Sequence, residues 1–357
     1  MSFFWILPGW LFFAALGFGA TALTLRAARR AAIIDVPNER SSHSVPTPRG
    51  GGLSIVAILS ASLSVAFFSV DHTGGSSVLF AWFLAGIFLA AFSLIDDVRP
   101  VSALIRLPLQ LITAAAVLWT VGGWPVLELP GMPSLAWGAF GWLLLLFWIV
   151  GLANVYNFMD GIDGIAGTQA VVAGLGWALA GYWVNDTALM WLGLAISGSA
   201  GGFLVLNWAP AKIFMGDVGS AFAGFAFAVF PLLAHHRNPE ISLTVWLACA
   251  VLFVWPFLFD GAYTLLHRLY RRENILQAHR SHLYQRLVIS GLRHPPVTLL
   301  YGALALVSWP LAALWLRGTL GIFPFSLILL LCLACGLALI VKFQENRART
   351  KRDQRRK

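Results

Sequence analysis

Five of the chain's 15 acidic residues fall in three short connections between long apolar runs: Asp96 and Asp97, Asp160 and Asp163, and Asp217. The stretch Asn154 to Gly164 reads NVYNFMDGIDG, with two aspartates, two asparagines and no cation. Carboxylates crowded at the ends of apolar helices repel one another and are poorly solvated, so each is costly until something neutralises it. A bound cation is one solution. The donors on offer are carboxylate and amide oxygens, which suit Mg²⁺ or Mn²⁺ rather than zinc. Mg²⁺ commonly takes one or two protein oxygens and fills its shell with water and phosphate oxygens. A lone acid at a helix end is by default a cap or a solvated loop residue, and Asp35, Asp71, Asp186 and Glu240 are read that way. The five connection acids together are read as functional. Asp260, late in an apolar run, either lines the same cavity or caps a kink beside Pro256.

Glycines bracket these acids. Gly161 and Gly164 flank Asp163, and Gly216 and Gly219 flank Asp217, giving backbone that a ligand can approach closely. At a predicted helix start, Asp217–Val218–Gly219–Ser220 offers N–H groups to a phosphate. Two basic segments complete the set. Asp35 to Gly52, DVPNERSSHSVPTPRGGG, carries Arg40, His43 and Arg49 in a loop shaped for an anionic group. Gln277 to Leu287, QAHRSHLYQRL, adds His279, Arg280, His282 and Arg286. Basic residues at a membrane face are topology signals by default. Acids for a metal beside bases for phosphate describe a phosphoryl-transfer site at a membrane surface.

The elements that must position these residues are membrane helices. Of 357 residues, 59% are hydrophobic and 11% charged, under half the roughly 25% charged fraction of a soluble domain. That composition excludes a soluble globular protein. The net charge of +9 sits on arginine-rich ends flanking apolar runs, which reads as topology and not as nucleic-acid affinity. Cys249, Cys332 and Cys335 lie inside apolar stretches with no second Cys/His pair, so no zinc site is expected. A span needs about 20 apolar residues, and eleven segments qualify: 3–25, 52–70, 78–95, 103–121, 135–153, 165–184, 188–206, 218–234, 241–266, 297–316 and 323–342. An all-α polytopic protein with about eleven transmembrane helices is the predicted fold. The first segment has no basic residue ahead of it and is expected to be retained, not cleaved as a signal peptide. With the N-terminus outside and the C-terminus cytoplasmic, only Arg237 and Arg317 of the 24 basic residues face outward. Residues 1–342 are read as one transmembrane catalytic domain and 343–357 as a mobile basic cytoplasmic tail. The chemistry is expected on the cytoplasmic face.

These motifs resemble those of the polyprenyl-phosphate N-acetylhexosamine-1-phosphate transferases, whose members start peptidoglycan, enterobacterial common antigen, teichoic acid and O-antigen. The matches run in order along nearly the whole chain: PNERSSHSVPTPRGGG, Asp96–Asp97, NVYNFMDGIDGIAG, PAKIFMGDVGS and HRSHLYQRL. The resemblance implies Mg²⁺-dependent transfer of a sugar-1-phosphate from a UDP-N-acetylhexosamine to undecaprenyl phosphate, with release of UMP, in the bacterial inner membrane. By position, Asp217 and Asn157 look like the Mg²⁺ ligands. Asp96 resembles the acid that deprotonates the lipid phosphate, with Asp97 beside it. Phe214 looks like the ring that stacks on uracil, with Asp163 fixing the base, while Asp160 and Asn154 shape the cleft. Membrane lipids are expected partners, nucleic acid is not, and a homodimer is left open.

The chain departs from the family pattern in the last loop. Relatives often carry His-x-His-His there, whereas this chain has His282–Leu283–Tyr284–Gln285, with His279 upstream. Any role of those histidines rests on His282 and Arg280. Ser41 and Ser42 stand where other branches have a basic residue, which looks like the O-antigen branch that uses deoxy sugars. The loop from His267 to Pro296 is expected to roof the sugar pocket. Two rivals remain at this stage. A transporter or flippase for an anionic solute would place its acids near the bilayer midplane. A CDP-alcohol phosphotransferase would need an arginine soon after its DG, which Asp160–Gly161 lacks.

Overall fold

Long apolar runs leave the backbone few ways to satisfy its hydrogen bonds in hydrocarbon. The computed structural model is accordingly an all-α polytopic membrane protein. It describes residues 3–37, 45–69, 76–99, 101–122, 126–128, 135–274, 279–319 and 322–356. The helices are α1 (Ile6–Arg30), α2 (Leu53–Ser69), α3 (Ser76–Val98), α4 (Ala103–Val121), α5 (Gly138–Phe158), α6 (Ile165–Trp183) and α7 (Thr187–Asn207). They continue as α8 (Asp217–Arg237), α9 (Leu243–Tyr270), α10 (Leu283–Ile289), α11 (His294–Val307), α12 (Trp309–Leu316) and α13 (Ile322–Arg356). Two antiparallel ladders are the only sheet among the described residues: β1 (Ile34–Asp35) with β2 (Thr47–Pro48), and β3 (Val126–Leu127) with β4 (Leu135–Ala136).

Each predicted segment falls on helix over most of its described length, the fifth beginning in β4. Among the described residues, nine helical stretches are long and apolar enough to cross a membrane, counting α11 and α12 as one. At 17 residues α2 is shorter, and α6 lies outside that set. The central rod is α8, buried at every residue from Val218 to Ala234 and surrounded chiefly by α3, α5, α9 and α2. Small residues let its neighbours close in: Gly86 of α3 faces Phe222, and Gly224 lies against Leu152 and Ala153 of α5. Helices α1, α6 and α7 pack as a second group. At Gly17 a Cβ would stand 2.5 Å from the Ser199 carbonyl oxygen, the close crossing that small residues give membrane helices.

The structure adds three features. The segment 297–316 breaks at Ser308, because Pro310 has no N–H for the preceding turn and Ser308 Oγ lies against the carbonyls of Leu252 and Ala305. The basic tail is helical, α13 continuing to Arg356. The connection after α9 contains a folded element, α10.

Candidate active site

The site begins where the C-terminus of α3 meets the N-terminus of α8. Asp97 Oδ1 accepts the Asp217 N–H at 2.9 Å and Oδ2 accepts the Val218 N–H at 3.0 Å. One carboxylate thus caps α8 from another helix, where negative charge is favoured by the exposed N–H groups. Gly216 permits the approach, with φ +77° and a would-be Cβ only 2.7 Å from Asp97 Oδ2. The N–H groups expected to meet a phosphate are therefore occupied, those of Gly219 and Ser220 by the Gly216 carbonyl. The Asp97 side chain is 1% exposed and that of Asp217 is 28% exposed. Asp97 holds; Asp217 is presented.

The sequence reading left these acids without cations, and the structure corrects it. Arg106, in the first turn of α4, puts Nη1 3.0 Å from Asp96 Oδ2 and 3.5 Å from Asp217 Oδ2. Asp96 Oδ1 accepts the Val101 N–H at 2.6 Å. The turn between α3 and α4 is short, so it folds Arg106 back over the end of α3. On the other side, Arg49 Nη1 stands 3.6 Å from Asp97 Oδ1 while Nη2 pairs with Asp35 Oδ2 at 3.1 Å. Asp35, read as a bland loop residue, orients a site arginine. Asp186 keeps its reading as a cap: it accepts the Leu189 N–H and pairs with Arg237 at 2.7 Å.

The NVYNFMDGIDG segment brings the remaining acids. The Asn157 side chain lies beside Asp217, so the two expected metal ligands are neighbours. Asn154 Nδ2 donates to Gln110 Oε1 at 2.6 Å and to the Val150 carbonyl at 2.8 Å. Burial, and then the nearby Asp217 carboxylate, pushes Asp160 well above the usual carboxylate range. Asp163 Oδ2 accepts the Ala211 N–H at 3.1 Å and faces His294 Nδ1 at 3.4 Å, pinning the loop that carries Phe214. That loop also runs along the first one: Phe214 N–H donates to the Pro48 carbonyl, and the N–H groups of Gly51 and Gly52 donate to Phe214 and Met215. Gly51 and Gly52 of the loop expected to receive an anionic group thus pair with the backbone that leads into α8. Phe214 itself is half-buried beside it.

Among the described residues, no three His, Cys, Asp or Glu side chains converge as a ready metal cage. An oxygen-donor pair such as Asp217 and Asn157, with further acids around it, fits Mg²⁺, which leaves much of its shell to water and phosphate. It does not fit zinc, which takes three or four nitrogen or sulfur donors.

The late loop is held by Asp260, which neither lines the acid cleft nor caps a kink. Fully buried, it takes five donors. Oδ1 accepts from His282 Nδ1 at 3.1 Å, Leu283 N–H at 2.8 Å and Thr264 Oγ1 at 3.1 Å. Oδ2 accepts from Tyr284 N–H at 3.1 Å and Tyr301 Oη at 2.6 Å. Asp260 thereby caps α10 and fixes the His282 ring, which packs between His279 and Tyr284 with centroids 5.0 and 5.8 Å away. Tyr284 Oη donates to the Phe158 carbonyl at 3.1 Å, seating α10 on the end of α5. Burial, followed by His282 and Arg268 nearby, holds His279 down at about 4. Arg280 lies half-buried in the same loop. His43 lies outside the described residues, as do Arg40 and Gln277.

Asp96, Asp97, Asn157 and Asp217 therefore converge with Arg49 and Arg106 at helix ends, not at mid-span. Glycosyl transferase family 4 is the family whose model matches, over residues 79–235. A Bacillus subtilis protein named for undecaprenyl-phosphate N-acetylglucosaminyl 1-phosphate transfer is 27% identical over 77% of this chain and 75% of its own. The decaprenyl-phosphate N-acetylglucosaminephosphotransferase of Mycobacterium leprae is 31% identical over 79% of this chain and 76% of its own. The chain belongs to the polyprenyl-phosphate N-acetylhexosamine-1-phosphate transferases. A third transferase of this family, the phospho-N-acetylmuramoyl-pentapeptide-transferase of Lactiplantibacillus plantarum, is 40% identical over 36% of this chain and 38% of its own. The family model spans every acid of the cleft. Arg49 and the Asp260–His282 loop of this transferase lie beyond it.

Proposed function

We propose that the chain transfers N-acetylhexosamine-1-phosphate from its UDP-sugar to undecaprenyl phosphate, releasing UMP. An oxygen of the lipid phosphate forms a bond to the sugar-bearing phosphorus. The bond from that phosphorus to the bridging oxygen breaks, and that oxygen leaves on UMP. The observation that carries this reading is Asp217 beside Asn157, flanked by Arg106 at 3.5 Å and by the Asp97–Arg49 pair. Asp217 and Asn157 would hold Mg²⁺, or Mn²⁺, which neutralises diphosphate charge when bound. Arg49 and Arg106 are placed to receive phosphate oxygens in exchange for their internal partners. Asp96 takes the lipid phosphate's proton if one is present, and Asp97 acts by holding Asp217 at the start of α8. Phe214 stacks on uracil, and Arg280 with His282 faces the diphosphate from the α10 side. The transfer positions reactants and stabilises charge; the protein need not form a covalent bond.

The cytoplasmic face of a bacterial inner membrane is the proposed setting, and a 6-deoxy N-acetylhexosamine for O-antigen the proposed sugar. Purified protein is expected to exchange labelled UMP into a UDP-N-acetylhexosamine only with undecaprenyl phosphate and Mg²⁺ present. Exchange without the lipid, or none with any sugar of a gluco, galacto and 6-deoxy panel, overturns the reading.

A further inference from the structure

Away from the acid cleft, a cavity of about 600 Å³ opens between the C-terminal half of α9 and the middle of α13. The two helices do not pack closely there, since α13 rests mainly on α10 and α12. From α9 the cavity is lined by Tyr263, His267 and Arg271, spaced four residues apart on one helix face. From α13 it is lined by Cys335, Ala338, Leu339 and Lys342, then by Glu345 and Arg349, again one stripe at helical spacing. Both stripes change character in the same direction. Tyr263, Cys335, Ala338 and Leu339 are apolar or weakly polar, whereas Arg271, Lys342 and Arg349 are cationic. Along α13 the change takes 14 residues, about 21 Å at 1.5 Å per residue. Arg286 of α10 closes the cationic end with a bidentate pair to Glu345, 2.9 Å to each oxygen. Glu345 is the one acid among the described residues that line the cavity.

We infer that this cleft is a binding site for an anionic phospholipid of the surrounding bilayer. Its apolar length takes an acyl chain, and Arg271, Lys342 and Arg349 take the phosphodiester. At the end lined by Cys335, Ala338 and Leu339 lipid is the natural filling, because water there would find few partners. A cationic mouth at the helix ends selects an anionic headgroup over a zwitterionic one. Arg286 sits four residues after His282, so a headgroup held here also braces the helix that the Asp260 carboxylate caps. The site is independent of the proposed reaction.

The test uses the full chain in detergent, titrated with phosphatidylglycerol or phosphatidylcholine and followed by native mass spectrometry and thermal unfolding. One phosphatidylglycerol is expected to stay bound and raise the melting temperature, while phosphatidylcholine does neither. Arg271→Gln with Lys342→Gln should weaken that binding about thirtyfold, each surface cation being worth roughly fivefold. Arg347→Gln with Lys351→Gln removes the same charge from another face of α13 and should leave binding unchanged. Leu339→Trp, which fills the apolar length without altering charge, should lose the adduct. Equal loss in the two charge variants refutes a defined site, as does equal binding of both lipids. Equal stabilisation by inorganic phosphate would reduce it to an anion site, and competition by undecaprenyl phosphate would make it a substrate seat; either result overturns the proposal.

Discussion

Replacing Asp260 with Asn keeps the side chain's size and one acceptor oxygen but turns the other position into a donor. The kept oxygen can still serve His282 Nδ1, the Leu283 N–H and Thr264 Oγ1. The new amide then faces the Tyr284 N–H and Tyr301 Oη. The tyrosine hydroxyl can turn and accept, but the peptide N–H cannot, and it is buried. An unmet buried N–H costs about 1–3 kcal/mol, and loss of charge from the surviving bonds adds roughly another 1 kcal/mol. The total is about 2–4 kcal/mol, which at roughly 2 °C per kcal/mol for a chain of this size lowers the melting temperature by about 4–8 °C. Tryptophan fluorescence of the protein in micelles reads this directly, the chain having 16 tryptophans. Tyr301→Phe removes one donor and leaves four, so it should lose only about 1 kcal/mol. If Asp260→Asn melts within about 1 °C of the parent, the five-donor account is wrong. Asp260→Ala, which also removes the oxygen that holds His282 Nδ1, should drop turnover about a hundredfold, a usual size for a misplaced catalytic group. In a His282→Ala background the same change should cost no further turnover; a second multiplicative loss would show that Asp260 acts by some other route.

Asp217→Ala should abolish UMP exchange while membrane insertion persists, and EDTA should stop the parent until Mg²⁺ or Mn²⁺ is restored; near-parental turnover of the variant would sink the ligand assignment. Asp97→Asn leaves one of two α8 N–H groups unmet and should cost about 1–2 kcal/mol in thermal unfolding, with turnover falling alongside. Arg106→Gln removes a charge 3.5 Å from Asp217, so Mn²⁺ should bind about tenfold more tightly by electron paramagnetic resonance while turnover drops. Unchanged Mn²⁺ affinity would mean Arg106 does not share Asp217 with the metal. His279 is held near 4 in the folded chain, below its unfolded value of about 6.5, so the unfolded state binds the extra proton between those values. The stability it contributes is present above about pH 6.5 and lost as pH falls towards 4; His279→Gln should flatten the melting curve across that window, and an unaltered slope would count against the half-buried, neutral ring.

The helices were legible because each apolar run must bury or face lipid over its whole length, so hydropathy alone places α3, α5 and α8 and hence the acids at their ends. What hydropathy cannot carry is which polar group meets which across the bundle. Arg106 looks like one more cytoplasmic charge, yet the short turn after Val98 was a readable sign that the first turn of α4 folds back onto Asp96. Asp35 and Asp260 gave no such sign. Their partners lie 14 residues away in the first case and 22 to 41 residues away, on α10 and α11, in most of the second. The glycines misled for a related reason, since Gly51, Gly52 and Gly216 are needed for close backbone approach whether the neighbour is a ligand or another helix.

A consequence follows for how the cleft works. Three acids at its mouth already have protein partners: Asp97 the α8 N-terminus, and Asp96 and Asp217 the Arg106 guanidinium. Repulsion among the carboxylates is thus offset in part within the chain itself, while burial and Asp217 still push Asp160 up. On the proposed function, a diphosphate with its metal would offer each side a stronger partner, phosphate oxygens for Arg106 and Arg49 and a divalent cation for Asp217. Substrate would then enter by exchanging ion pairs rather than by filling a vacant charge. On this account affinity depends on the difference between internal and external pairs, and variants that weaken only the internal ones, such as Asp35→Asn at Arg49, should bind the diphosphate more tightly than the parent.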